Sequence, residues 1–532
     1  MNQTLALVTN AALAPDRHVG RSTRRPRLPA AAWVTLVALA ACASTARAQT
    51  ATGKSATGKS VSKPAATKVD AKPAAKDATT KGAADAKAAD PKAADVKSEA
   101  DKSAEAAEAA AKIDESAEVF RDPLMEDALK NTFRSLSVRP LALEQIHRVR
   151  SMAAGEASID AGVMKQYVDF AVSELTNRTN IAALLEAPSA KLPATSLTRL
   201  AIQNAGENLV QPIFAARSMK PANTAFLNAY TPILIQTLPK VLDNHFYARI
   251  EAMIALATAA SPDALPIFVK QLGDPKQTVW VKLWAARGIS AVFDNGRNPV
   301  DITRALAAAK ALAVFLSQDD LPWPAQVRGL EALGSTRQSS GSPLQGKIEL
   351  YEVAARYLAD ESSNIQVRCY AAWAAGMTPV GPRAAPKFNY AMVAYRIGAL
   401  AAETAQAAST SAKANPERTK AMTALLLYQL YPALAGEPGV RDSGLVYASA
   451  SSKDAAFVKQ VRDGVQALAS GSVELTRSAG GMVARTQKDL AEQIASLKAV
   501  LEKNRPTDWH LIPGGAEYPL ADVKAARDDA KP

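Results

Sequence analysis

Val281-Lys282-Leu283-Trp284-Ala285-Ala286-Arg287-Gly288 and Val367-Arg368-Cys369-Tyr370-Ala371-Ala372-Trp373-Ala374 align without a gap at an offset of 86 residues. Each follows a leucine and a turn aspartate, Leu272-Gly273-Asp274 in the first copy and Leu358-Ala359-Asp360 in the second. A third copy, Val327-Arg328-Gly329-Leu330-Glu331-Ala332-Leu333-Gly334, lies between them behind Phe315-Leu316. A shorter fourth, Ala248 to Leu256, precedes them behind Val241-Leu242-Asp243. Self-similarity at a period of this size is the mark of stacked structural repeats, because one unit cannot bury its apolar face alone.

Each unit reads as helix, turn, helix. The expected first helices are Thr224–Leu242, Ala264–Leu272, Ile302–Leu316 and Leu344–Leu358, with apolar residues three and four apart. Asp274-Pro275, Leu321-Pro322-Trp323-Pro324 and Asp360–Asn364 supply the breakers. The second helices place Ala252, Ala285, Ala332 and Ala371 where neighbouring backbones approach. The string V-[KR]-x-x-A-A-x-A/G, behind its leucine and aspartate, resembles the second helix of HEAT repeats over 224–378. That resemblance implies an all-α, armadillo-type α-α superhelix, a scaffold that binds proteins and has no shared active site. Helical regions are expected on both sides, over 113–223 and 379–503, with an extended tail over 504–532.

Upstream of the repeats the chain carries an address. Arg21, Arg24, Arg25 and Arg27 precede the apolar run from Leu28 to about Ala43, which is shorter than the roughly 20 residues a membrane span needs. Two exits follow this signal peptide (1–48). Ala46-Arg47-Ala48 before Gln49 is an A-x-A cleavage site, and Leu39-Ala40-Ala41-Cys42 resembles a lipobox that would lipidate Cys42 and tether the chain to a membrane. Thr23 to Leu28 also looks like part of a twin-arginine signal, although Arg27 stands where a large apolar residue is usual. Either exit places the protein outside the cytoplasm, in the periplasm or beyond.

Residues 49–112 are Ala, Lys, Asp, Thr and Ser with almost no large apolar side chain. Such a segment cannot offset its ordering entropy and is expected to be a disordered linker, with a reach of about 40–50 Å as a flexible coil. Gly53 to Ser60 matches the P-loop pattern letter for letter, but it is A-T-G-K-S written twice, flanked by the signal-peptide cleavage region and a Lys/Ala/Pro tail in place of the buried strand and helix a P-loop needs. No nucleotide or other cofactor is expected there.

The net charge of +12 is concentrated at the front, with +5 in residues 1–48, +3 in 49–112 and +4 in the rest. The body therefore lacks the basic face that nucleic-acid binding requires, although the Lys-rich linker leaves contact with an anionic polymer as an alternative. His147, His245 and His510 stand in separate segments at no metal-binding spacing, and no G-x-S-x-G or H-E-x-x-H occurs. No catalytic or metal site is expected, with an enzyme or lyase-like accessory protein as the alternative. Cys369 falls on a second helix and reads as a small packing residue. Lys282, Arg328 and Arg368 occupy one column of the repeat, and the favoured reading pairs Lys282 and Arg368 with the turn aspartates Asp274 and Asp360, against a row on a binding surface. Trp280, Trp284, Trp323 and Trp373 read as core, against a sugar-stacking platform as the alternative. A last helix, Gly480–Lys503, carries the stripe Val483, Leu490, Ile494, Leu497 and Leu501, which suits packing on the array or a dimer seam.

Overall fold

A computed structural model describes residues 122–130, 136, 141–186, 196–294, 299–341 and 346–519. Among these residues the chain is helical, and the one trace of strand pairing is an isolated antiparallel bridge between His510 and Glu517. Helices α1 (Pro123–Lys130), α2 (Leu143–Ala153), α3 (Ala161–Leu175), α4 (Arg178–Leu185) and α5 (Leu197–Ser218) come first. Asp160, Asn177 and Ser196 start α3, α4 and α5 by accepting a first-turn backbone N–H on their side chains.

Four helix pairs occupy the repeated region: α6 (Thr224–Thr237) with α7 (Phe246–Ala259), α8 (Leu265–Gly273) with α9 (Val279–Asp294), α10 (Ile302–Leu316) with α11 (Trp323–Thr336), and α12 (Glu349–Ala359) with α13 (Ile365–Met377). The bounds of α10 are those expected. Helix α6 ends five residues early and continues as a 3-10 turn over Leu238–Val241. Helix α11 begins inside the stretch expected to be a turn. Trp323 and Pro324 are its first two residues, a place where the missing proline N–H leaves no bond unmade.

The second helices pack on one another in sequence, α7 on α9, α9 on α11 and α11 on α13. The first helices α8, α10 and α12 form a row of their own, each in contact with the next. Ala252, Ala285, Ala332 and Ala371 are fully buried within the stack. At the α11–α13 crossing the backbones come so close that a Cβ on Gly334 would lie 2.8 Å from the Ala374 Cα. The row of second helices also runs upstream, with α5 on α7 and α3 on α5.

Downstream come α14 (Tyr390–Ser411), then α15 (Pro416–Leu425) and α16 (Tyr431–Ala435) joined through a π-helical turn at Leu426–Leu430, then α17 (Leu445–Ala448), α18 (Ala455–Arg477) and α19 (Met482–Lys503). Helix α16 continues the second row against α13, and α14 and α18 continue the first. The stripe on α19 is spent within the chain: Leu490, Ile494, Leu497 and Leu501 are buried, and α19 packs on α14 and α18. A dimer seam would need that stripe exposed. Among the described residues no helix is long and apolar enough to cross a membrane.

Candidate functional site

Cys42, Ala48, Gln49 and the Gly53–Ser60 stretch lie outside the described residues. The histidines stay apart. His147 is exposed on α2, His245 is buried at the start of α7, and His510 sits in the tail with Nδ1 2.7 Å from Asp508 Oδ1. Among the described residues no group of three or more His, Cys, Asp or Glu is placed to hold a metal ion. Cys369 is fully buried with Sγ 3.8 Å from Thr404 Oγ1, and burial pushes its thiol up to about 12, so it is a packing residue without a usable thiolate. Trp280, Trp284 and Trp373 are buried, and Trp323 is half-buried at the start of α11.

The basic column behaves differently from the pairing expected for it. Arg368 reaches across to Glu403 on α14, with Nη1 3.0 and 2.9 Å from its two carboxylate oxygens, and so does not pair with Asp360. Arg328 turns to Glu331 on its own helix at 2.5 Å. Asp360 is occupied by its own turn, where it accepts from the Ser362 N–H, the Ser362 hydroxyl and the Ser363 hydroxyl. Asp274 likewise accepts from Lys276 N at 2.9 Å. A short aspartate side chain satisfies its own turn first, which leaves the long arginines to reach helices further along the stack. Lys282 comes nearest to the expectation: burial lowers its pKa, and the carboxylates of Asp274 and Asp122 oppose the drop. All three cations are at most 8% exposed, so the column is no binding surface.

A further polar seam was not singled out by the repeat pattern. It runs across α9 and α11 to the loop that begins at Gly436. Glu331 holds Arg328 and lies 3.7 Å from Arg287, with all three side chains largely out of solvent. One turn on, Ser290 donates to Asp294 Oδ2 at 3.0 Å and Ser335 to Asp294 Oδ1 at 3.2 Å. On α13, Trp373 donates its indole N–H to Glu437 at 3.1 Å. Asp294 is open to solvent at its edge, yet the protein packed around it pushes its carboxyl up to about 6. Glu331 and Glu437 add to the rise, while Ser290 and Arg287 oppose it. The seam thus presents the Ser335 hydroxyl beside the raised Asp294 carboxyl, with the buried Ser290 hydroxyl and an ionic network behind them.

The within-helix part of this arrangement was legible as spacing, since Ser290/Asp294 and Glu331/Ser335 are four apart and Arg328/Glu331 three. The links between helices, 41 to 64 residues apart, were not. Comparison with family models, curated proteins and solved structures gives no match for this chain. Its class is accordingly defined by its own geometry, an all-helical protein of stacked helix pairs with a polar seam along the second helices.

Proposed function

We propose that the chain is an exported, non-enzymatic scaffold that holds a protein partner on a HEAT-like superhelix. One observation carries this reading. From α3 to α16 each second helix packs on the next second helix, so the array grows by nearest-neighbour contacts and leaves a long lateral surface. The basic n-region and apolar run before Cys42 and Ala48 support export, and the Ala/Lys-rich segment 49–112 suits a spacer between an anchor or leader and the helices. The solvent-facing edge of the polar seam, Asp294, Ser335 and Glu437, supplies fixed hydrogen-bonding groups with which such a surface selects its partner.

Crosslinked capture from an envelope extract, followed by direct binding of the purified partner to the purified chain, tests the reading. A reproducible partner whose binding weakens with Ser335→Lys supports it. Failure of every captured protein to bind the purified chain sinks it. Export is tested separately by the mass of the mature N-terminus, which starts at Gln49 after ordinary cleavage or at a lipid-modified Cys42.

A further inference from the structure

Helix α1 is clamped at both ends by residues distant in sequence. At its start, Asp122 accepts the Leu124 N–H on Oδ1 at 2.9 Å and the Val279 N–H on Oδ2 at 2.7 Å. One buried carboxylate therefore caps two helices, α1 and α9. At its other end the Leu129 carbonyl, among the last-turn acceptors that a helix leaves unsatisfied, lies 3.0 Å from His245 Nε2. His245 is fully buried and is itself the N-cap of α7. Its Nδ1 accepts the Tyr247 N–H at 3.4 Å, and the two rings stack with centroids 5.6 Å apart. These partners assign the tautomer, with the hydrogen on Nε2 and the lone pair on Nδ1.

A second proton on this ring would sit on Nδ1, facing an N–H donor at the positive end of the α7 dipole. Burial holds the imidazole below its ordinary pKa; the hydrogen bond to Leu129 works against that, and Arg249 reinforces it. Arg249 interacts in turn with Asp243 and Asp274, and Lys282 on α9 with Asp274 and Asp122. The imidazolium can regain hydration only if something covering it moves. Helix α1 is the lightest cover, eight residues long with Ala128 in the core and Met125 and Leu129 half-buried, whereas α7 packs between α5 and α9.

We propose that Asp122 and His245 form a proton-released clasp: protonation of His245 undocks α1 from α7 and α9 and uncovers the N-terminus of α9. The docking constant falls by about tenfold for each pH unit below the free imidazole value until the docked value is passed.

Hydrogen exchange of the full chain between pH 7.5 and 4.5, corrected for intrinsic rates, tests this beside an NMR titration of selectively labelled histidine. Residues 122–130, 244–249 and 279–282 are expected to lose protection together as His245 titrates, while α11 and α13 keep theirs; His245→Gln is expected to stay flat over the same range. Protection of α1 that survives the titration of His245 overturns the proposal, as does an equal loss in the variant. Should His245→Gln be unfolded at pH 7.5 by circular dichroism, the coincidence of titration and exchange in the wild-type chain alone decides.

Discussion

Glu331 occupies the position at which the neighbouring second helices carry Ala252, Ala285 and Ala371, and there it neutralises Arg328, which is fully buried. Glu331→Ala restores the small residue of the repeat but removes a carboxylate 2.5 Å from a buried guanidinium. It is expected to destabilise the protein by about 3–5 kcal/mol in urea unfolding, whereas Arg328→Met with Glu331→Leu should recover most of that loss. Glu251 on α7 gives a pH signature. Its carboxyl lies over Gly206 of α5, and burial, with Glu207 adding to it, pushes its pKa up from 4.5 to about 8. The native state therefore holds a proton that the unfolded chain releases, so this group's contribution to stability is lost as pH rises from 4.5 to about 8. Between pH 6.5 and 8 the melting temperature of the wild-type chain is expected to fall more steeply than that of Glu251→Gln. Below that window Asp294 adds a slope of the same sign up to about pH 6, and His245 one of opposite sign.

At the scale of elements, close approach between helices is set by glycine and alanine. Gly376 on α13 backs directly onto the Ala433 backbone of α16, so a methyl group there must push two helices apart. Gly376→Ala is expected to cost about 1–3 kcal/mol, while Gly273→Ala, with nothing within 4 Å of the new Cβ, is expected to be neutral or stabilising. Parallel denaturation of the two variants checks the contrast. Helix positions were legible where apolar spacing and a cap agreed, as for α10 with Asp301 at its start. They were misread where one residue type serves two purposes, as at Pro322 and Pro324, which break the preceding chain and also open α11.

At the scale of the whole molecule the C-terminal segment is a strap and not a loose end, at least to residue 519. Asn389 holds the carbonyls of Asp508 and His510 through its side chain and that of Leu511 through its N–H. Arg396 lies 5.4 Å from the Trp509 ring and donates to the carbonyls of Tyr518 and Pro519. Leu511 and Tyr518 close over Tyr351, Leu358 and Met392 on α12 and α14. Truncation after Lys503 is expected to lower the melting temperature and to raise hydrogen exchange in α12 and α14 more than in α7 and α9, because stacked helices lose stability locally when a neighbour is removed. By itself the sequence determined the helical class, the pairing of helices from 224 to 378 and the small residues at their crossings, since periodicity and propensity act over a few turns of one chain segment. Only the tertiary structure decided where the charges go. It sent Arg368 to Glu403 and Asp122 to α9, joined Asp294 to Ser335, and buried the α19 stripe in cis. Each of these contacts joins residues distant in sequence, and its partner is set by how the helices stack.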